Sequence, residues 1–223
     1  MKIWIFSDTH GNHESLTVPH DIDLAIFCGD CSNYRDPAKN LPEVTKFYDW
    51  YNALHIPKKI AIAGNHDTSI EKRLILPYIQ YPDIIYLEHE EVAINGYRIF
   101  GSPWTPVFNN WAFNKKPNRL EFLWNQIPED IDILITHGPP KYIADLSYNH
   151  ENQLERCGDK SLLNRVLNIN PRVHAFGHIH SGKRIYNAGI YKGLFNNNNT
   201  TFINAACFDL KQNIVNNGFQ IYL

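Results

Sequence analysis

The chain has 223 residues, of which 43% are apolar and 20% are charged, as in an ordinary soluble globular protein. With a formal net charge of −2, it has neither the basic footprint of a protein that binds long nucleic acids nor a polybasic membrane patch. No apolar run is long enough to span a membrane, and the apolar part of the N-terminus is too short for a secretory signal. We therefore predict one domain over residues 1–223, located in the cytoplasm and without a membrane partner.

Five short apolar runs rich in Ile, Val and Phe end in polar loops, and these runs predict strands. They cover Lys2–Phe6, Leu24–Phe27, Lys59–Ala63, Ile131–Ile135 and Val173–Phe176. Helical patterns lie between them, at Pro42–Leu54, Ser69–Ile79, Asn118–Ile127 and Ser161–Leu167. Near-continuous apolar strands that alternate with helices indicate an α/β fold in which helices cover a central sheet on both faces.

Other segments have the patterns of hairpins and of a terminal strand. The predicted hairpins are Ile84–Leu87 with Val92–Phe100 through Asn95-Gly96, and Ile190–Leu194 with Thr201–Ala205. The C-terminal residues Gly218–Leu223 predict one more strand, and the Asn-rich stretch Phe195–Thr201 predicts a loop.

Cys28 and Cys31 form a C-x-x-C pair, which is found in redox sites and in zinc ribbons. A zinc ribbon needs a second pair, whereas Cys157 and Cys207 stand alone. A redox pair normally opens a helix, whereas here Asp30 lies between the two thiols. Buried or half-buried free thiols are therefore the favoured interpretation.

Polar side chains with metal-binding chemistry follow all five apolar strands. They are Asp8 and His10, then Asp30, then Asn65, His66 and Asp67, then His137, and finally His178 and His180. In an extended segment, residues two apart point to the same side, so His178 and His180 are expected to aim at one place. Because ligands of open α/β sheets bind at the carboxyl ends of the strands, we predict that these loops meet in one site.

Each of these residues, taken alone, also fits an ordinary turn or strand-cap role. Their joint occurrence on five strand ends favours a metal site instead. Mixed carboxylate, amide and imidazole ligands suit Mn, Fe, Zn, Co or Ni rather than calcium or a thiolate cluster. Seven ligands are too many for one tetrahedral ion and suit two ions that share a bridging carboxylate.

The motifs D-x-H, G-D, G-N-H-D, H-G and G-H-x-H, in this order from Asp8 to His180, resemble the calcineurin-like metallophosphoesterase superfamily. Four further stretches resemble its metallophosphoesterase-domain branch, which includes class III cyclic nucleotide phosphodiesterases: Gly101–Asn114, Trp124–Pro140, Arg172–Gly182 and Phe202–Ala206. The resemblance covers almost the whole chain. It implies a central β-sandwich of mixed sheets flanked by helices, with the metal site at the C-terminal ends of the strands.

The resemblance also implies two divalent metal ions, with Mn²⁺ expected first and Fe, Zn, Co or Ni as alternatives. The first-metal ligands would be Asp8, His10, Asp30 and His180, and the second-metal ligands Asp30, Asn65, His137 and His178. The implied catalytic residues are Asp30, which would bridge the two ions, and His66. The imidazole of His66 would contact the phosphate and the leaving group. Some members have Gly at the position of His178, so this chain, which keeps the histidine, is expected to be a working enzyme.

One position departs from the pattern of related phosphatases. They carry an Asp three residues after the bridging Asp, where it orients the catalytic histidine, and this chain has Asn33 there. An amide accepts a hydrogen bond but brings no charge. Which group orients His66 is therefore left open by the sequence.

The predicted substrate is a small nucleotide, and the predicted reaction is phosphodiester hydrolysis. No arginine lies in a motif loop to clamp a terminal phosphate dianion, which favours diesters; the resemblance favours 2′,3′- or 3′,5′-cyclic nucleotides in particular. The predicted substrate contacts are Asn65, His66, Trp104, Asn110, Trp111 and Phe113, although the aromatic rings could equally pack on the sheet. The alternatives are a phosphomonoesterase or nuclease of the same superfamily and, last, a non-catalytic scaffold.

Overall fold

The structure is a computed structural model that describes residues 1–182 and 184–223. The strands are β1 Lys2–Phe6, β2 Leu24–Phe27, β3 Lys58–Ala61, β4 Ile84–Tyr86, β5 Glu90–Ile94, β6 Tyr97–Ser102, β7 Thr105–Pro106, β8 Asn114–Lys115, β9 Ile133–Thr136, β10 Leu146–Tyr148, β11 Leu154–Arg156, β12 Val173–Phe176, β13 Gly189–Tyr191, β14 Thr201–Asn204 and β15 Phe219–Tyr222. The α-helices are α1 Pro37–Ala53, α2 Thr68–Glu71, α3 Pro77–Gln80, α4 Pro117–Trp124 and α5 Lys160–Ile169. Of these helices, none is long and apolar enough to cross a membrane within the described residues.

Two mixed sheets face each other. The first has the order β15-β1-β2-β3-β4, with β1 to β4 parallel and β15 antiparallel. The second has the order β13-β14-β12-β9-β6-β5, with four parallel inner strands and an antiparallel strand at each edge. The sandwich implied by the family resemblance is confirmed. The single sheet covered by helices on both faces, which we predicted from periodicity, is wrong.

Strand alternation explains why the sheets pair with each other and with helices. Ile3 and Ile5 of β1 point into an aliphatic cluster between the two sheets, whereas Trp4 and Phe6 point to the other face. That other face packs on aromatic residues of α1, such as Phe47. The second sheet is covered in the same way by α4 and α5. A strand that is apolar at every position is therefore buried on both faces, as predicted. One face packs on helices and the other packs on the second sheet.

Two predicted elements differ from the structure. The predicted helix Ser69–Ile79 is two separate turns, α2 and α3, because Pro77 begins α3 and forces Leu76 into an extended conformation. The predicted pairing of Ile84–Leu87 with Val92–Phe100 is also wrong. Strand β4 instead extends the first sheet beside β3, and the Asn95-Gly96 turn joins β5 to β6. The second predicted hairpin, now β13 with β14, and the C-terminal strand are confirmed.

Helix α1 begins five residues earlier than predicted. The predicted first residue was Pro42. Instead Pro37 is the first residue, and the Asp36 side chain caps the helix by accepting hydrogen bonds from the backbone N–H groups of Ala38 and Lys39, both at 3.0 Å. This longer start matters because Asn40, in the first turns of α1, reaches the loops described below.

The carboxyl ends of the parallel strands of both sheets meet at one edge of the sandwich. Ser7, directly after β1, forms a parallel bridge with Ala206, which follows β14. The N–H of Cys207 donates to the carbonyl of Ser7 at 3.0 Å. These bonds join the two sheets at the edge from which the predicted ligand loops emerge.

We expect the buried His174 of β12 to make the protein sensitive to acid. Its Nε2 lies 2.9 Å from Thr136 Oγ1, which itself donates to the carbonyl of Gly138, so Nε2 carries the proton of a neutral imidazole. Burial lowers the pKa of His174 to about 3, whereas a histidine in an unfolded chain has a pKa of about 6.5. Stability is therefore lost as the pH falls from the unfolded pKa towards the folded one.

Urea unfolding of the metal-free protein and of His174→Gln at about pH 7.5 and about pH 5.5 measures this effect. Between these two pH values, the free energy of unfolding of the parent should fall by about 1.4 kcal/mol more than that of the variant, because His174 is protonated only in the unfolded state. Equal losses in the two proteins would contradict the assignment of His174 as a buried neutral base.

Candidate metal centre

The seven predicted ligands lie on loops at this edge, and the structure brings their carboxylates and imidazoles together. Three overlapping groups each have ligand atoms within 4.8 Å of one another: Asp8, His10 and His180; His10, Asp30 and His66; Asp30, His137 and His178. Asp30 belongs to two of these groups. The pattern is that of two adjoining cation sites that share one carboxylate.

In the first site, the Nε2 atoms of two imidazoles face each other. Nδ1 of His10 donates to the carbonyl of Ser32 at 3.0 Å, and Nδ1 of His180 donates to the carbonyl of Phe208 at 2.7 Å. In the neutral tautomers, each Nε2 is therefore a lone pair. The two Nε2 atoms are 3.1 Å apart, and Asp8 Oδ1 lies 3.9 Å and 3.4 Å from them. Acceptors that converge in this way repel one another unless a proton or a metal ion lies among them. Burial alone would lower the pKa of His180, but Asp8 raises it, which favours a proton here when no metal is bound. A metal ion would replace that proton, so these residues fit a metal ion.

The second site is built in the same way. Nδ1 of His137 donates to the carbonyl of Cys28 at 2.8 Å, which directs Nε2 towards Asp30 and Asn65. The distances from Nε2 are 3.3 Å to Asp30 Oδ2 and 2.9 Å to Asn65 Oδ1. Asp30 Oδ2 is also 4.0 Å from His10 Nε2 in the first site. Asp30 therefore stands between the two sites, where a bridging ligand must be.

Burial and charge prepare these side chains to bind a cation. Burial lowers the pKa of His10 to about 4 and that of His178 to about 3, so both imidazoles keep free lone pairs. Burial alone would raise the pKa of Asp8, but the hydrogen bond and charge of His180 outweigh it, and the pKa falls to about 2. Burial alone would lower the pKa of His137, but Asp30 raises it to about 9. The buried carboxylates thus demand nearby positive charge, which divalent cations would supply.

Four of the ligands have a backbone conformation that L-residues rarely adopt. Their φ angles are +55° for Asp8, +43° for His10, +62° for Asp30 and +69° for His178. A residue other than glycine costs about 1 kcal/mol or more in this left-handed region. Such strain persists only where the surroundings fix the backbone, as the bond from the N–H of Asp8 to the carbonyl of Gly29 does here. The sharp turns aim consecutive ligands inward from the strand ends.

His66 lies at the rim of the two sites. Its backbone N–H donates to Asp30 Oδ1 at 2.6 Å, and its carbonyl accepts from the side-chain amide of Asn40 at 2.7 Å. Its ring stands edge-on to that of His10, with centroids 4.8 Å apart, and stacks on the indole of Trp111. The loop after β3 therefore places an imidazole next to both candidate cation positions.

Two buried side chains, Asp67 and Asn40, hold the site together in ways that the sequence did not predict. The carboxylate of Asp67 accepts from the backbone N–H groups of Gly64, Asp30 and Cys31 at 2.7, 3.0 and 2.9 Å, and so ties two ligand loops together. Burial and the nearby charge of Asp30 raise the pKa of Asp67 to about 6. The motif G-N-H-D contains Asp67, but its role depends on the distant loop after β2, which the sequence does not reveal.

Asn40 of α1 is the second such residue. Its amide donates to the Ser32 hydroxyl at 2.7 Å and to the His66 carbonyl, and its oxygen accepts from the N–H of Ser69 at 3.0 Å. It therefore links the loop that carries Asp30 to the loop that carries His66. A fully buried asparagine inside a helix is unusual, because its side chain competes with the backbone for hydrogen bonds, but nothing in a single sequence shows that it is buried.

The C-x-x-C cysteines are free thiols. Cys28 and Cys31 are both buried and unbridged, and burial raises the pKa of each thiol well above its ordinary range. The favoured interpretation of these cysteines as free thiols is confirmed. Cys31 Sγ lies 3.1 Å from Asp67 Oδ1, so this thiol adds to the contacts by which Asp67 joins the two ligand loops.

A cleft of about 740 Å³ opens above the two sites. Of the predicted substrate contacts, Asn65, His66 and Trp111 line it. Trp104, Asn110 and Phe113 do not. Phe113 is 1% exposed and packs in the core with Trp104, whose ring centroid lies 5.4 Å away, and Asn110 lies on an exposed turn. The alternative, that aromatic rings of this loop pack on the sheet, holds for Phe113.

The sequence matches the family model for calcineurin-like phosphoesterases over residues 1–182. The chain belongs to the calcineurin-like phosphoesterase family. Among curated proteins, human metallophosphoesterase domain-containing protein 1 is 34% identical over 235 residues, covering 94% of this chain and 67% of the human protein. A UPF0046 protein of Caenorhabditis elegans is 33% identical, covering 92% of this chain and 74% of the nematode protein.

Solved structures agree with this family at the level of the fold. The phosphopantetheinyl hydrolase of Mycobacterium tuberculosis superposes with a TM-score of 0.62, covering 99% of this chain and 95% of the mycobacterial chain, at 14% sequence identity. At that identity the likeness shows the fold alone. The resemblance inferred from the motifs is confirmed, and a calcineurin-like phosphoesterase is a hydrolase that uses divalent metals.

Proposed function

We propose that this calcineurin-like phosphoesterase is a dinuclear metal-dependent phosphodiesterase that hydrolyses small phosphodiesters, cyclic nucleotides in particular. The observation that carries the proposal is the completeness of the ligand set: no metal-ligand position of the motif is lost, and Asp30 lies in two of the converging groups. A complete set argues against the scaffold alternative, which needs no ligands. Mn²⁺ is the ion we expect first, since this donor set accepts several divalent metals.

Each of the two ions would have four ligands, with Asp30 shared between them. Asp8, His10, Asp30 and His180 would hold one ion, and Asp30, Asn65, His137 and His178 the other. Bound divalent ions activate water and offset negative charge on phosphoryl oxygens. Hydrolysis then forms one bond from phosphorus to the water oxygen and breaks the bond to the leaving oxygen.

His66, as the imidazolium, would donate a proton to that leaving oxygen and become a neutral imidazole. Its Nδ1 is buried, so Nε2 is the nitrogen that would carry the proton to the cleft. General acid catalysis of this kind is typically worth about 10²- to 10⁴-fold. The gain is largest for a poor leaving group such as a ribose oxygen, because an activated phenolate leaves without a proton.

The charge of the cleft supports a diester rather than a monoester. Among the described residues that line the cleft, Arg156 is the one arginine or lysine, and its Nη1 already lies 2.7 Å from Asp145 Oδ1. Glu155 and Asp209 line the same cleft. A monoester carries a terminal dianion that needs additional positive charge, whereas a diester carries a single negative charge. The lack of free positive charge in the cleft also disfavours long nucleic acids, because proteins bind them mainly through contacts with phosphates.

An exposed aromatic side chain could bind the base. Phe108 lines the cleft and is 52% exposed, unlike the buried Phe113 of the same segment. A base stacked on an aromatic ring gains about 1–3 kcal/mol and needs no specific hydrogen bonds. Phe108 therefore replaces Trp104 and Phe113 as the aromatic residue we propose for base binding.

Removing the Phe108 ring should weaken nucleotide binding. We expect Phe108→Ala to raise KM for 3′,5′-cAMP by about 5- to 150-fold, the equivalent of one lost stack, with little change in kcat. The matched control is Phe122→Ala, which removes a similarly exposed phenyl ring (60% exposed) from α4, outside the cleft. An abasic cyclic ribose phosphate should not distinguish the two variants. A KM for 3′,5′-cAMP that stays at the parent value would remove Phe108 from the binding site.

The test of the proposed function uses metal-stripped protein reconstituted with Mn²⁺. Hydrolysis of 2′,3′-cAMP, 3′,5′-cAMP and nitrophenyl phosphate is measured side by side, with bound metal counted in the same samples. Preference for a cyclic diester, restored only by metal, supports the proposal and shows which ring is opened. Preference for nitrophenyl phosphate would make the protein a phosphomonoesterase. Failure to hydrolyse any of the three with two ions bound would overturn the assignment to small substrates.

A further inference from the structure

We propose that Trp111 is the positioning residue for His66, and that it holds the imidazole by ring stacking where related phosphatases use a carboxylate. This inference rests on the proposed function, in which His66 protonates the leaving oxygen. It assigns Trp111 to the catalytic step rather than to base binding. It also accounts for the asparagine at position 33.

No side chain of the described residues orients His66 through a hydrogen bond to its buried Nδ1. Nδ2 of Asn33 donates to the carbonyl of His10 at 2.8 Å. Both carboxylate oxygens of Asp67 accept backbone N–H groups. Meanwhile His66 Nδ1 is buried and has no hydrogen-bond partner among the described residues. The orientation of this ring must therefore come from packing.

The indole of Trp111 supplies that packing. The ring centroids of His66 and Trp111 are 4.0 Å apart, and the planes differ by 28°, which is a stacked arrangement. The ring of His10, whose centroid is 4.8 Å away, restricts the movement of the His66 imidazole on another side. The Arg35 guanidinium also lies over the indole, 4.9 Å from its centroid. Trp111 thus has partners of its own that keep it in place.

The backbone fixes the distance between the two rings. The N–H of Ala112, which follows Trp111, donates to the carbonyl of Asn65, which precedes His66, at 3.1 Å. The N–H of Phe113 donates to Glu71 Oε1 at 2.8 Å, which ties the same segment to α2. The loop that carries Trp111 and the loop that carries His66 are therefore joined next to the stacked pair.

Positioning and base binding make different kinetic predictions. If Trp111 stacked a base, its loss would raise KM. If it orients His66, its loss should lower kcat, and only for substrates whose leaving oxygen needs a proton. A misplacement of about 1 Å can cost about 100-fold in rate. The apolar variant Trp111→Leu removes the stacking face and keeps side-chain bulk, and Trp111→Phe restores an aromatic face.

The experiment is a double-mutant cycle of Trp111→Leu and His66→Ala, with Mn²⁺ bound and the metal content measured in each protein. The substrates are 3′,5′-cAMP, whose leaving group is a ribose oxygen, and bis(4-nitrophenyl) phosphate, whose leaving group is activated. We expect Trp111→Leu to lower kcat on 3′,5′-cAMP by about 10- to 100-fold and on the activated diester by less than about threefold. Trp111→Phe should recover most of the loss. In the His66→Ala background, Trp111→Leu should have no further effect on kcat.

Two results would overturn this assignment while leaving the proposed function intact. One is additive losses in the cycle, because Trp111 would then act independently of His66. The other is an effect of Trp111→Leu confined to KM, because the indole would then bind substrate. A parent protein that binds two ions but hydrolyses neither diester would instead overturn the proposed function, and this assignment with it. The parent assay therefore separates the two failures.

Discussion

Replacing Asp30 with asparagine should remove one of the two bound ions and lower kcat/KM for a cyclic diester on the order of a thousandfold or more. Asp30 is 1% exposed, and its carboxylate contributes to two of the three ligand groups. Oδ1 also accepts the N–H of His66 at 2.6 Å. An amide has no charge, and its NH₂ group would face either that N–H or the imidazole of His137. The substitution is therefore expected to weaken ion binding and to disturb the backbone of the loop that carries His66.

Metal analysis after dialysis against buffered Mn²⁺, together with kcat/KM, checks this prediction. The matched control is Asp209→Asn, which makes the same change of charge in the lining of the cleft, at a residue outside the three ligand groups. We expect the control to keep two ions per chain. An Asp30→Asn protein that keeps two ions and the parent rate would show that Asp30 does not bridge.

The location of the site could be predicted from the sequence because it depends on local patterns. Each candidate ligand follows a strand by one to four residues, and the carboxyl ends of parallel strands meet at one edge. Periodicity therefore indicated where the candidate ligands lie, even though it led to the wrong number of sheets. A single sheet between helices and a sandwich of two sheets both bury their strands on two faces. The apolar pattern of a strand such as β1 therefore does not reveal whether a helix or another sheet covers each face.

The features that the sequence did not reveal depend on contacts between distant residues. Asn40 lies on a helix, and its amide joins two loops that follow different strands. The partners of Asp67 include the backbone around Asp30, which is 37 positions away. Trp111 and Phe113 are two residues apart in one aromatic segment, yet one faces His66 in the cleft and the other is buried in the core. Residue type alone does not distinguish them.

Gly64 is expected to be as critical as the ligands themselves. It lies between β3 and Asn65, and a Cβ atom at this position would overlap Asp30 Oδ1 and lie 2.6 Å from Cε1 of His137. Its φ angle is not in the left-handed region, so alanine would fit the backbone, and any effect would come from crowding. We expect Gly64→Ala to displace the carboxylate of Asp30, to reduce bound Mn²⁺ to one ion or fewer, and to lower kcat/KM by at least about 100-fold.

The matched control for Gly64→Ala is Gly138→Ala, at the same edge of the sandwich. A Cβ atom on Gly138 would lie 3.2 Å from the Thr105 methyl group, a contact that a side chain can relieve by a small shift, and its φ is likewise ordinary. This control should keep two ions and a rate within about threefold of the parent. Metal content, kcat/KM and urea unfolding on both variants decide the outcome. If Gly64→Ala lost stability but kept two ions and full activity, the close approach of the β3 loop to Asp30 would be a packing requirement rather than a condition for metal binding.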